Sequence, residues 1–180
     1  MHVQMPATIT EIPRASRIQQ AYASTDLADA YEISLPAGAT SDPTSLARCI
    51  FSNQPAWVLM LMQVRDWAVR GLGLKTAGGL RKSKDNRIGI FKIYEAHESE
   101  IIVGEDDKHL DFRVSVLHRV GTSQNRNAAS VVVSTVVHCH NRLGRLYIAA
   151  IAPFHRRVVK ALLHRAALTG WPADHPRDLV

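Results

Sequence analysis

Hydrophobic and polar residues alternate along most of the chain from Ile88 to Asn141, at the period of two that is typical of β-strands. The connections between the alternating segments are short and polar, which favours antiparallel neighbours joined in a meander. An earlier alternating segment, Tyr31–Leu35, predicts one more short strand. The strands predicted in the second half of the chain are Ile88–Ala96, Glu100–Asp106, His109–Arg119 and Ala128–Asn141.

The alternation also predicts which side chains share a face of the sheet. In one strand Leu110, Phe112, Val114, Val116 and His118 fall on one side, and in the last strand Val131, Val133, Thr135, Val137 and Cys139 do the same. The opposite sides carry Asp111, Arg113, Ser115, Arg119, Ser130, Ser134, His138 and His140. We therefore expect a sheet of four or five strands with one apolar, covered face and one wet face.

Three helices are predicted from helical spacing and from their first residues. Asp42 is a good N-cap before Pro43, so a helix should run to about Phe51, and Pro55 should open a second helix to about Leu72. The last and longest helix runs from Leu143 to about Thr169, with Pro153 inside it as the source of a bend. Its predicted apolar stripe consists of Leu143, Tyr147, Ala150, Ile151, Phe154, Val158 and Leu162, with the basic residues mostly off it.

Together these elements predict an α+β fold, in which an antiparallel meander sheet is gripped by a long C-terminal helix. A chain of 180 residues is most simply one domain. We expect an N-terminal arm over residues 1–29, a single helix-grip domain over 30–170 and a C-terminal tail over 171–180. No apolar run reaches the ~18 residues of a membrane span. Residues 1–12 lack the apolar core of a signal peptide, so we expect a cytoplasmic protein.

The net charge of +6 comes largely from residues 75–87 and from the last helix. Few aromatic residues alternate with these cations and no nucleic-acid-binding motif is present, so we expect no specific nucleic-acid partner, only weak and salt-sensitive binding. We expect the apolar stripe of the helix to be committed to the sheet and unavailable to a membrane. Residues 75–87 lack the order of a phosphate-binding loop and form either a mobile connection or a lid.

Histidine, cysteine and acidic residues give no recognisable metal or cofactor site. His138 and His140 could reach one ion, but no third ligand is evident, and Glu105 to Asp111 do not follow the order of a calcium-binding loop. Cys49 and Cys139 are interpreted as small buried apolar side chains. We expect neither a metal nor a cofactor.

A pocket is expected between the sheet and the last helix. Its candidate ligand-binding residues are Trp57, Phe91, Phe112, Val114, His118, Thr135, Tyr147 and Phe154. The large apolar side chains among them either line a cavity or fill a plain core. His118 is either a structural, hydrogen-bonded histidine or a general base.

Several motifs resemble a bacterial family, domain of unknown function 2867. They are Trp57 with Leu61-Met62 and Arg65-Asp66, Gly73 to Thr76, Val103 to Arg113, and Pro153 to Arg156 with Val158-Val159. The order of elements also resembles the helix-grip superfamily, which includes START lipid-transfer domains and polyketide cyclases. The resemblance implies a hollow fold. It also implies a dinucleotide-binding oxidoreductase as a candidate partner, because similar domains occur fused behind such enzymes. It implies no catalytic residues.

Three hypotheses follow for the function. The first is a binding module for a small hydrophobic molecule, anchored by a few polar groups such as Thr135, Tyr147 and His118. The second is an enzyme of the cyclase or hydratase kind that uses a pocket residue as acid or base. The third is a basic accessory protein that docks on a partner or a membrane through the last helix. The sequence leaves open whether any reaction is catalysed.

Overall fold

The computed structural model describes residues 6–52, 56, 86–120 and 129–173. The described strands are β1 (Thr8–Thr10), β2 (Leu27–Ser34), β3 (Arg87–Ile88), β4 (Phe91–Ala96), β5 (Glu100–Asp106), β6 (Leu110–Arg119) and β7 (Ser130–Cys139). The described helices are a short 3₁₀ helix (Arg17–Gln20), α1 (Pro43–Ser52) and α2 (Arg142–Thr169).

The strands form one antiparallel sheet in the order β1-β2-β7-β6-β5-β4-β3. The predicted α+β fold is therefore confirmed: β3 to β7 follow one another as a meander, and α2 follows directly. The described part of the chain has seven strands, more than expected. One reason is that Gly89, with φ of 62°, makes a turn that divides the predicted strand Ile88–Ala96 into β3 and β4.

The predicted faces of β6 and β7 are confirmed by their register. Val116 pairs with Val133 and Phe112 with Val137, which places Phe112 and Val133 on the same side of the sheet. This side carries the main core, because its central residues are fully buried together with residues of α1 and α2. The largest fully buried members of this core are Tyr31, Leu46, Ile50, Ile88, Ile101, Val103, Val116, Val131 and Leu163.

The opposite face, here called the outer face, is not wet where the N-terminal segment crosses it. The 3₁₀ helix contacts β6 and β7, and its Ile18 is fully buried. Glu100 of β5, only 2% exposed, accepts hydrogen bonds from the hydroxyls of Ser16 and Ser115 and from the backbone N–H of Arg17. The expectation of a wet second face is therefore wrong here, because four large apolar side chains of the outer face are also buried: Ile102, Leu117, Val132 and Val136.

Helix α1 begins as the sequence predicts. The Asp42 carboxylate accepts from the backbone N–H groups of Thr44 and Ser45 at 3.3 and 2.8 Å, which satisfies donors that the first helical turn leaves free. The helix predicted from Pro55 to Leu72 lies outside the described residues, except for Ala56, and so does most of the basic segment 75–87.

Helix α2 spans the predicted residues and contains Pro153. Its N-cap is Asn141, whose side-chain oxygen accepts from the N–H of Gly144 at 3.0 Å. The amide nitrogen of the same side chain lies 2.9 Å from Nδ1 of the buried His109. One asparagine therefore ties the helix start to the β5–β6 turn.

The buried side of α2 differs from the predicted stripe. Val159, Leu162, Leu163 and Ala166 are buried and His155 is half-buried, whereas Phe154 is 49% exposed. Ala150 is exposed as well, so the stripe is wrong at both of these positions. Because α2 lies beside β2, the side that meets the sheet is rotated toward His155. No helix within the described ranges is long and apolar enough to cross a membrane.

Candidate functional site

The side of the sheet that faces α2 contains a buried acidic residue. Asp29 lies on β2 and pairs in register with Thr135 of β7. Its carboxylate oxygen Oδ2 lies 3.2 Å from Nδ1 of His155 on α2. The Asp29 side chain is only 8% exposed and that of His155 is 23% exposed. An ionised carboxylate can only accept a hydrogen bond, so in a hydrogen bond to ionised Asp29 the donor is the Nδ1–H of His155, and Nε2 takes no part in this contact.

Two polar atoms at this point are buried without a hydrogen-bond partner among the described residues. They are the second carboxylate oxygen of Asp29, Oδ1, and the hydroxyl of Tyr31, two residues further along the same face of β2. Burial and the charge of Asp29 raise the pKa of Tyr31, while the Arg156 guanidinium opposes the shift. The phenol therefore stays protonated at neutral pH and can donate. We call Asp29, Tyr31, Thr135 and His155 the Asp29 cluster.

Buried polar atoms without partners are rare in folded proteins, because each one costs about 1–3 kcal/mol. The Asp29 cluster carries two of them on adjacent positions of one face. Such an arrangement suits a ligand, or an ordered water, that brings the missing hydrogen-bond partners. A ligand that fits would be a small molecule with a hydroxyl or amine group that donates a hydrogen bond to Oδ1 of Asp29.

Apolar and aromatic side chains continue the same face of the sheet beyond the Asp29 cluster. Thr135 pairs in register with Val114 of β6. Farther along, the rings of Phe51 and Phe91 meet edge to face with centroids 5.1 Å apart, and those of Phe91 and Phe112 with centroids 5.8 Å apart. This face therefore has a polar end under α2 and an aromatic end at β4 and α1.

A buried ion pair borders the aromatic end. Arg87 of β3 meets Glu105 of β5 at 2.9 Å, and both side chains are more than nine-tenths buried. Arg87 also donates to the carbonyl of Ile90. Since Glu105 pairs in register with Phe112, the ion pair lies next to the aromatic rings.

The residues nominated from the sequence are only partly brought together. Phe91, Phe112, Val114 and Thr135 lie on one face, and Trp57 lies outside the described residues. His118 is half-buried at the far end of β6, opposite Val131. Tyr147 packs at the start of α2 with Leu110, Val137 and Cys139, and Phe154 is largely exposed.

Sequence reasoning missed Asp29, Tyr31 and His155. The signal for Asp29 was available, because the predicted strand began at Tyr31, and extending its alternation by one step places Asp29 on the face of Tyr31. The signal for His155 was hidden, because the predicted stripe of α2 passed through Phe154 instead.

On the outer face, polar and aromatic side chains border an open cleft of about 400 Å³. It is lined by Arg17, Gln20, Ala21, Tyr94, Glu95, Ile102 and Arg113. The Arg113 guanidinium lies 3.5 Å from the Tyr94 ring centroid and binds Asp106 at 2.8 Å, so internal contacts already hold it.

His138 of β7 and His140, just after it, contact each other with ring centroids 5.5 Å apart, and each also has a partner of its own. His138 stacks on Tyr22 with ring centroids 5.6 Å apart, and His140 meets Asp111 at 3.0 Å. Within the described ranges, no three histidine, cysteine or acidic residues are grouped so that they could hold a metal ion.

The chain was also compared with known proteins. The family described as protein of unknown function, DUF2867, matches residues 21–162, which include every member of the Asp29 cluster. The chain belongs to this family. Searches of curated proteins and of solved structures gave no match. The DUF2867 match covers β2 to β7 and most of α2, so the family pattern and the Asp29 cluster occupy the same elements.

Proposed function

We propose that this DUF2867 protein binds a small, largely apolar molecule between the sheet and α2. The observation that carries the proposal is the pair of buried, unpartnered polar atoms on β2, Oδ1 of Asp29 and the hydroxyl of Tyr31. A ligand with one donor and one acceptor would satisfy both atoms, and its apolar part would lie toward Val114 and the phenylalanines.

The wider proposal concerns the superfamily and the cellular location. The antiparallel sheet with α2 along one side supports a relationship to the helix-grip, START-like proteins, whose interiors hold apolar molecules. Both cysteines are free thiols, which supports a reducing, cytoplasmic location. A dinucleotide-binding oxidoreductase remains the candidate partner that the resemblance implies.

The test uses Tyr31→Phe, which removes only the unpartnered hydroxyl. Without ligand this change should leave the melting temperature unchanged or raise it, because a buried polar atom without a partner is lost. Binding should weaken about tenfold, since one hydrogen bond of about 1.4 kcal/mol disappears. The matched control is Tyr22→Phe, because the Tyr22 hydroxyl is also buried without a described partner but lies on the outer face.

Binding would be measured with 2-naphthol, an apolar fluorescent alcohol whose hydroxyl can donate to Oδ1 of Asp29 and accept from the Tyr31 hydroxyl, and native mass spectrometry would look for a co-purified molecule. Equal affinity of the Tyr31→Phe and Tyr22→Phe variants for the probe would show that the Tyr31 hydroxyl does not contact the ligand. Absence of both probe binding and a co-purified molecule in the unmodified protein would overturn the proposal.

A second candidate function, acid–base catalysis, is favoured by the contact between Asp29 and His155. A carboxylate that holds the proton on Nδ1 orients the imidazole and makes Nε2 a general base. In deuterated water, such a base would exchange a carbon-bound proton of the co-purified molecule for a deuteron, detectable as a gain in mass that persists after return to ordinary water. His155→Gln should retain the molecule and lose the exchange. Equal exchange in both proteins would exclude His155 as the base.

A further inference from the structure

The exposed side of α2 carries apolar side chains that pack on nothing in the described structure. Leu146 is 69% and Phe154 49% exposed, and Ala149, Ala150 and Pro153 between them are exposed as well. With a rise of 1.5 Å per residue, these five residues extend over roughly 12 Å of the helix. We call them the outer apolar patch. A single exposed leucine needs no explanation, but a contiguous group of this kind marks an interaction surface.

The charge of α2 is entirely of one sign. Its 28 residues include six arginines and lysines and no aspartate or glutamate. Arg145 pairs with Asp26 at 3.2 Å. Five cations are exposed and have no ion pair among the described residues: Arg142, Arg156, Arg157, Lys160 and Arg165. Lys160 also lies over the Tyr31 ring, 5.8 Å from its centroid, and Arg156 is close enough to act on the Tyr31 phenol. Arg142 before the outer apolar patch and Arg157 after it leave exposed positive charge at both of its ends.

We propose that this side of α2 docks the protein on an anionic membrane surface. Leu146 and Phe154 would enter the boundary between headgroups and acyl chains, and the flanking cations would meet lipid phosphates. The proposal is independent of the ligand site, because the patch lies on the side of α2 turned away from the sheet. It also reverses the expectation that the apolar residues of this helix are all committed to the sheet.

Other occupants fit less well. A second copy of the chain would bring two helices of like charge together across a twofold axis, which is unfavourable. A nucleic acid would use the cations but would leave the aliphatic Leu146 without a partner. Only an anionic surface with an apolar layer beneath it satisfies both features.

The experiment is co-sedimentation of the full chain with vesicles of phosphatidylcholine, with and without about one third phosphatidylglycerol. We expect binding to the anionic vesicles, little binding to the neutral ones, and a decrease with added salt. The double variant Leu146→Glu/Phe154→Glu should lose at least about tenfold in partitioning, since two apolar contacts are replaced by charges. Both residues are exposed, so the fold should be retained, which a thermal melt would verify.

The matched control is Val120→Glu. It also places a carboxylate at an exposed apolar position, 74% exposed, but at the end of β6. We expect this variant to bind nearly as well as the unmodified protein. The proposal is overturned if the unmodified protein does not bind anionic vesicles, or if the double variant binds as well as the Val120→Glu control. A dimer in solution that the double variant abolishes, without vesicle binding, would assign the patch to a second copy instead.

Discussion

Glu100 offers a direct test of the N-terminal cover on the outer face. Its buried carboxylate holds three groups: the hydroxyls of Ser16 and Ser115 and the backbone N–H of Arg17. Two of these belong to the segment that carries Ile18 onto the sheet. Glu100→Ala removes the only described acceptor that ties this segment to β5, so we expect the segment to detach while the sheet remains folded.

The expected loss of stability follows from what detachment exposes. Returning a fully buried isoleucine to water costs about 1.5–3 kcal/mol. The Ser115 hydroxyl exchanges its hydrogen bond to Glu100 for one to water, and this net loss adds about 1 kcal/mol. The total is about 2.5–4 kcal/mol in the free energy of unfolding. If the segment stayed in place, the three hydrogen-bonding groups would be left buried without their acceptor, at a cost that could exceed this total. Release of the segment lets water satisfy them and so limits the loss of stability.

Urea unfolding would measure this loss, and hydrogen exchange of peptides covering residues 16–20 would report the release. Glu95→Ala is the matched control, because Glu95 is an exposed glutamate whose described partner is His97 at 2.9 Å. The control should cost less than about 1 kcal/mol. A loss below about 1 kcal/mol for Glu100→Ala, with unchanged exchange in residues 16–20, would refute the idea that Glu100 anchors the segment.

Three further predictions concern a helix cap, a carboxylate and a thiol. Asn141→Ala should cost about 1–2.5 kcal/mol in urea unfolding through loss of the cap and of the His109 contact, and Asn141→Asp, which keeps the acceptor, should cost less. The hydrogen bond from the Cys139 N–H, aided by Arg145, holds the pKa of Asp26 below its ordinary 3.8. Its stabilisation is therefore complete above about pH 4 and lost as the pH falls through the lowered pKa. Asp26→Asn should make the urea midpoint depend less on pH over this acid range. An unchanged pH dependence would show that Asp26 does not cause the loss of stability. Burial and the nearby Asp26 raise the pKa of the Cys139 thiol to about 11. In the folded protein at about pH 8 it should react with Ellman's reagent more than about a hundredfold more slowly than in urea, and equal rates would show an accessible thiolate.

The sequence was sufficient for the regular elements. Alternation located β4 to β7 and their shared face, and Asp42 located the start of α1, because these signals are local and each is reinforced by burial on one side. Short elements were missed: β1 has three residues and was not predicted, and β3 has two and was not recognised as a separate strand. Their pairing depends on the neighbouring strand more than on their own pattern.

The candidate site was less accessible to sequence reasoning. Asp29 and His155 are 126 residues apart, and each reads alone as an ordinary surface residue. Their contact depends on which side of α2 meets β2, and an error of one position between Phe154 and His155 turns the helix by about 100°. The cover on the outer face was equally hidden, because Ser16 and Ile18 lie in a segment without periodicity.

The position of β7 between β6 and β2 has a consequence for folding. Strand β2 is synthesised before the meander, and its partner β7 is made about a hundred residues later, after β3 to β6. Until then β2 has an open edge and no hydrophobic cover, because α2 is made last. The pairing also closes a long loop, which slows folding. Early in synthesis, the Ala30–Ile33 segment is therefore the part of the described chain most exposed to wrong pairing between nascent chains.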